Sequence, residues 1–501
     1  MTLDREVRIK HRVAGLVAVV YPVLAVGAMA AYFLKGTVLG LLLVGGLAAF
    51  LVFTLRPVIA AVLLLVMWGT VVTPKFGQLG LGPIHASIAE LILFTALVAI
   101  LRRWIADGAP ARGYRLTGPM TALIAAVFFG AVVGIRNGEP VREAIDAVRS
   151  MLALATFFVL RNAFHGRASL LARWLVATTT AGCVLAAIGI VTGLPISGRS
   201  VDYLITANAV AHVDRIDPPA LRMVSLVLIM LMCGAALRDR PVLRLIAISA
   251  MFYIELMSFT RSTWIPLLLV GLVVPAVVSL RPRLLVFTER LVVLVGTAAI
   301  LLSLAASGAL GYTAKTAYTR LASTVSSATL SDSSLTDRTQ NELENAIPAI
   351  LHHPITGVGL NLPYGASNAY YGPLLDITTA SDRRFIHNTP IGIWLWLGLP
   401  GLLAIIWLTA RVASTARHIY RRGRRQLIGP PIGAAAGLLV LAVQSTFQTN
   451  LLYQPALVAG AAGLAYLDLW LHEHRAELDD PAEAVSLEPM PPAATLLASG
   501  R

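Results

Sequence analysis

A histidine stands at the end of the most polar stretch of the chain, in the run Phe385-Ile386-His387-Asn388-Thr389-Pro390, just before a long apolar segment. Asn388 or Thr389 suits a helix N-cap and Pro390 suits the first helical turn, so the imidazole is expected beside the positive end of a helix. That position favours neutral imidazole and attracts anions, which makes His387 either a general base near phosphate or a capping histidine without chemistry. Arginines offer the matching anion site. The run Ser258-Phe259-Thr260-Arg261-Ser262-Thr263-Trp264 sets Arg261 between two apolar segments. An arginine near hydrocarbon is costly, so it either grips a lipid phosphate or substrate pyrophosphate or snorkels from a helix end. Arg215 and Arg222, in the connection before the eighth apolar run, and Arg149, at the start of the sixth, add positive charge on the same side. Glu90 and Glu255 sit deepest within apolar runs, as proton carriers or as partners of these arginines. Gly357-Val358-Gly359 reads as a turn after Pro354, because it lacks the strand and the Lys-Ser/Thr of a phosphate-cradling loop.

The elements that must position these groups are membrane helices. Of 501 residues, 57% are apolar and only 13% charged, and the mean hydropathy is +0.76, so most of the chain belongs in lipid. A net charge of +14 falls in short basic patches between apolar runs, where it orients helices; no nucleic-acid partner is expected. Cys183 and Cys233 both lie in apolar runs and read as core residues rather than disulfide or metal ligands. Windows of about 20 residues give candidate spans near 14 to 34, 37 to 55, 58 to 73, 84 to 101, 117 to 135, 147 to 164, 170 to 192, 220 to 237, 242 to 258, 263 to 280, 290 to 310, 389 to 410, 428 to 447 and 453 to 471. The fold class is therefore an all-α polytopic membrane protein with 12 to 14 transmembrane helices and one large outer loop containing amphipathic helices. Ala28-Met29-Ala30 would suit signal cleavage, but the apolar run that follows favours an uncleaved signal anchor.

With the N-terminus in the cytoplasm, the strongest basic clusters fall on that side, from Arg102 and Arg103 through Arg281 and Arg283 to Arg421 and Arg422. Both termini are then cytoplasmic, in a multi-pass plasma-membrane protein. Residues 1–310 hold eleven spans, 311–388 form the outer loop, 389–474 the last spans and 475–501 a disordered tail rich in acid and proline. Within the loop, Thr336 or Asp337 begins an amphipathic helix whose apolar face carries Leu343, Ile347, Ile350 and Leu351, and which suits a membrane surface.

The ordered series Thr260-Arg261-Ser262, Asp337-Arg338, His353-Pro354-Ile355-Thr356-Gly357-Val358-Gly359, His387-Asn388 and Gly398-Leu399-Pro400-Gly401 resembles that of the O-antigen ligase and polymerase-like membrane glycosyltransferases, from about 215 to 405. The resemblance implies a GT-C-like helical fold and metal-independent transfer, with no cofactor, from a polyprenyl-pyrophosphate-linked glycan to a glycan or glycolipid acceptor at the outer face. By the same resemblance, His387 activates the acceptor hydroxyl, and the donor-gripping arginines map to Arg261, Arg215 and Arg338, with Arg222 and Asn388 nearby. Pro218-Pro219-Ala220 departs from the family's usual Pro-Asn pair. The physical reading agrees: arginines that hold a pyrophosphate leaving group leave only one base to be supplied. A transporter or flippase of lipid-linked saccharides is the alternative.

Overall fold

The computed structural model describes residues 48–70, 78–81, 84–107, 114–192, 202–206, 209–213, 218–237, 239–258, five positions between 263 and 270, 342–364, 386, 388–423, 427–446 and 454–479. His387, Arg261, Arg215 and Arg338 lie outside these residues, as do the spans expected at 14 to 34 and 290 to 310.

Helix α1 (Ala48–Leu55) meets α2 (Pro57–Leu64, continued by a π turn over Leu65–Thr70) at 109°. Arg56 still donates to the Val52 carbonyl, but Pro57 has no N–H with which to carry the helix on. Thus the runs at 37 to 55 and 58 to 73 are joined as a bent pair. A short antiparallel hairpin, β1 (Gln78–Leu81) with β2 (Ile84–Ser87), pairs Leu79 with Ala86 and leads directly into α3 (Ile88–Asp107). Ser87 and Glu90 close a reciprocal cap there: Ser87 Oγ accepts from the Glu90 amide at 3.2 Å and Glu90 Oε2 accepts from the Ser87 amide at 2.8 Å.

Helix α4 (Thr117–Arg136) coincides with the run expected at 117 to 135. The next expected span, 147 to 164, is not a single helix. It is divided among α5 (Val141–Met151), a 3-10 turn (Leu152–Ala155) and α6 (Thr156–Ala163). The reason lies in α5, which buries Ala144, Ala147 and Met151 while carrying Arg142, Glu143, Asp146 and Arg149 on its other faces. Such an amphipathic helix has one apolar stripe to bury and no circumference for lipid. Helix α7 (Ala168–Thr192) follows, then a second hairpin, β3 (Asp202–Thr206) with β4 (Ala209–Val213). Neither hairpin is foreshadowed by an alternating pattern strong enough to compete with the apolar runs around them.

Helices α8 (Ala220–Met232) and α9 (Pro241–Met257) precede α10 (Leu343–His352), which lies in the segment expected to form the large loop. The last long helices are α11 (Thr389–Arg422), α12 (Gly429–Ser445) and α13 (Gln454–Glu473), and a short α14 (Arg475–Asp479) begins the segment expected to lack structure. Among the described residues, α4, α7 and α11 are long and apolar enough to cross a membrane, with α1 and α2 together as a further bent candidate.

The core is built around α13 and α8, which are apolar on nearly every side and buried on nearly every side. Glycines let α12 approach α8: a Cβ added at Gly437 would sit 2.8 Å from Leu226 Cα, and one at Gly433 2.8 Å from Cys233 Cβ. This four-residue spacing of small side chains is a close-packing device of membrane helices. Gln444 Nε2 donates to Ser225 Oγ across the same contact at 2.8 Å, pairing two buried polar groups with each other. Both cysteines are buried, as expected of core residues. At one end of the bundle, Asp468 of α13 accepts from the Arg115 and Leu116 amides at 2.8 and 3.2 Å. The Arg161 guanidinium lies 4.5 Å from the Tyr114 ring centre beside them.

Candidate functional site

At the opposite end, the segment that follows α10 is built into α4 and α11 through backbone contacts. Helix α11 is interrupted at Gly398, whose φ of 64° no helix allows, and Pro400 follows with no N–H to give. The break separates the Leu395 carbonyl from the Leu399 N–H, which would otherwise pair. The loop replaces both partners. Val358 N–H donates to the Leu395 carbonyl at 2.8 Å, and Leu399 N–H donates to the Ile355 carbonyl at 3.0 Å. Trp394 Nε1–H adds a bond to the Pro354 carbonyl at 3.1 Å.

Glycine is required on both sides of this exchange. A Cβ at Gly398 would lie 2.2 Å from the Ile355 oxygen, and one at Gly357 (φ 68°) would lie 2.7 Å from both the Gly398 nitrogen and the Leu395 oxygen. On α4, Leu360 N–H donates to the Gly130 carbonyl at 2.8 Å, and a Cβ at Gly359 (φ 110°) would reach within 2.3 Å of Gly134 Cα. The motifs Gly357-Val358-Gly359 and Gly398-Leu399-Pro400-Gly401 are therefore the two halves of one junction. The phosphate-cradle reading fails here, because the Val358 and Leu360 N–H groups are spent on protein carbonyls.

A second hydrophobic cluster backs the junction. Ile350 of α10, Val358, Leu360, Tyr364, Ile386 and Trp396 are among its buried members. Ile386, next to His387 in sequence, is 1% exposed. On the other side Asn388 is the N-cap of α11, its side-chain oxygen accepting from Ile391 N–H at 3.2 Å. So the expected cap is present, and both sequence neighbours of the candidate base are fixed by packing or hydrogen bonding. In α10, Ala346 and Ile350 are buried, while Ile347, Leu351 and nearby Ile355 remain exposed. The expected apolar face is thus split, one part packed on protein and the other left exposed.

The expected arginine cluster is only partly within the described residues. Arg149, on α5, bonds Glu90 Oε2 at 2.7 Å and Asp146 Oδ1 at 2.6 Å, so its charge is already matched by carboxylates. Of the two readings of Glu90, partner of an arginine is the one this ion pair fits. Arg222 does not lie in a connection but in the first turn of α8, 8% exposed. At the end of α9, Ser258 Oγ and Trp264 Nε1 both donate to the Glu255 carbonyl, at 2.7 and 2.6 Å. Glu255 itself is 2% exposed. Residues without a sequence signal of their own also enter. Asn137 Nδ2 donates to the Val358 carbonyl at 2.8 Å, and Asn361 Nδ2 donates to Glu139 Oε1 at 3.0 Å.

Beside the junction a cavity of about 510 Å³ opens between α4, α5, α11, α12 and α13. Thr389 stands at one end and Ala416 at the other, with Leu123, Ile393, Leu441 and Ala442 among the walls. The lining is almost wholly aliphatic. Along α11 it runs from Thr389 to Ala416, across the break at Gly398, roughly 40 Å along the chain at 1.5 Å per helical residue, which is enough to follow a lipid chain through most of a leaflet pair.

No curated protein matches the chain. Residues 246–406 match the family model described as O-antigen ligase, a stretch that runs from α9 past Arg261, the glycine junction and His387 into α11, and this match supports an O-antigen ligase-like family for the chain.

Proposed function

We propose that this protein transfers a glycan from a polyprenyl-pyrophosphate carrier to an acceptor hydroxyl at the outer face of the plasma membrane. The observation that carries the reading is the aliphatic cavity that starts at Thr389, two residues from His387. A carrier whose isoprenoid chain follows α11 has its pyrophosphate at the α11 N-terminus, where the helix dipole favours negative charge. His387 takes the proton from the acceptor hydroxyl as its oxygen attacks the anomeric carbon. The new glycosidic bond forms while the bond from that carbon to the pyrophosphate oxygen breaks, and the prenyl pyrophosphate leaves with both electrons. Arg261, Arg215 and Arg338 hold the leaving charge, as preorganised donors do at a developing anion. Arg222, buried in the first turn of α8, adds positive charge to the same field, and Asn388 orients the backbone at His387.

Ligase and polymerase share this donor chemistry and differ in the acceptor. The reading also places residues 1–310 and 389–474 in the membrane, 311–388 outside, and both termini in the cytoplasm. Purified His387→Ala protein, with an unchanged elution profile, is expected to lose transfer from a lipid-linked donor by at least about a hundredfold, the scale of a missing general base. Full turnover in that variant removes the catalytic role. Movement of donor across vesicles without a new glycosidic bond favours the transporter instead.

A further inference from the structure

The matched family region begins at residue 246, yet the junction beside His387 is completed by residues more than a hundred positions earlier. The turn between α4 and α5 is Asn137-Gly138-Glu139-Pro140. Its backbone is closed onto α4 by Glu139 N–H donating to the Gly134 carbonyl at 2.9 Å. From this turn two side chains reach the loop: Asn137 Nδ2 to the Val358 carbonyl at 2.8 Å, and Glu139 Oε1 accepting from Asn361 Nδ2 at 3.0 Å. The two contacts bracket the Val358 to Asn361 segment at both ends. Glu139 is 4% exposed although α5 starts in a charged, open stretch. Burial of a carboxylate is costly unless it is bonded, so its retention at this point marks a structural demand. Asn361 meets that demand from a left-handed backbone with φ 65°, a conformation uncommon outside glycine and favoured there by asparagine.

We propose that Glu139 and Asn137 are positioning residues for the transfer reaction, holding the 358–361 segment in the register that seats it in the α11 break next to the site. The proposal rests on the transferase reading above. An error of an ångström in the placement of a reacting group is enough to cost orders of magnitude in rate, whereas the aliphatic cavity that holds the donor's chain is lined by none of residues 137–140 or 358–361.

The test uses the full chain in lipid nanodiscs, with Glu139→Ala, Glu139→Gln and Asn137→Asp. Glu139→Gln keeps an oxygen acceptor for Asn361; Asn137→Asp keeps size but loses the donor to Val358. Glu139→Ala and Asn137→Asp are expected to lower kcat about tenfold or more, with KM for the lipid-linked donor within about twofold. Both are also expected to speed amide exchange over 355–362. Glu139→Gln is expected to stay within about threefold of wild-type kcat. Normal kcat in Glu139→Ala, or a Gln variant as slow as Ala, overturns the proposal. If the wild-type protein forms no glycosidic bond, the transferase reading fails by itself; unchanged exchange over 355–362 in Glu139→Ala then overturns the positioning role independently.

Discussion

At the residue scale, glycines carry demands that no other side chain meets. Gly359 combines a φ of 110° with a Cβ position 2.3 Å from Gly134 Cα, while Gly166 has a φ of 66° and open space around it. Gly166→Ala therefore bears only backbone strain, about 1–2 kcal/mol. Gly359→Ala adds an overlap with backbone that cannot move aside, of order 1–3 kcal/mol more. Thermal unfolding in detergent is expected to rank wild type above Gly166→Ala and Gly166→Ala above Gly359→Ala; equal midpoints for the two variants would show that the close approach is not rigid. The Gly357-Val358-Gly359 motif was legible as a turn because glycine between polar and apolar stretches has few other uses. Its partners, Gly130 and Gly134, were not, since small residues are common in any apolar helix. Asn137 and Glu139 were hidden for another reason: their meaning depends on contacts with residues 358 and 361, and separation along the chain carries no trace of that.

At the scale of elements, helices with uninterrupted apolar runs stood out in the sequence and helices with mixed faces did not. The run at 117 to 135 became α4 almost residue for residue, because a 20-residue apolar stretch has one good solution in lipid. The stretch at 147 to 164 satisfied the same length rule on average, yet the charges of α5 divide it. The break in α11 was visible as Gly398 and Pro400, but what fills it was not. The cavity along α11 makes the donor-binding role of these elements testable. Ala442 lies on its wall and is exposed to it. Ala442→Trp is expected to raise KM for a long-chain donor about tenfold, equivalent to about 1.4 kcal/mol, with kcat nearly unchanged. A KM equal to wild type in folded Ala442→Trp would remove the cavity from the donor path.

At the scale of the whole molecule, the two ends of the bundle differ in kind. Asp468, Arg161, Tyr114 and the arginine-rich C-terminal turn of α11 gather at one end; the glycine junction and the α11 N-terminus lie at the other. Cys183 and Cys233 are buried, so introduced cysteines report cleanly. His352→Cys is expected to react with an impermeant maleimide added to intact cells, and Arg421→Cys only after the membrane is opened; the reverse pattern inverts the topology. The junction also limits how substrates could reach the proposed site. Were residues 355–360 to swing away, the Leu395 carbonyl and Leu399 amide would lose their partners in a strongly apolar helix, at about 1–3 kcal/mol for each orphan kept from water. That segment is thus a keystone rather than a door, and on the transferase reading proposed above donor and acceptor pass around it.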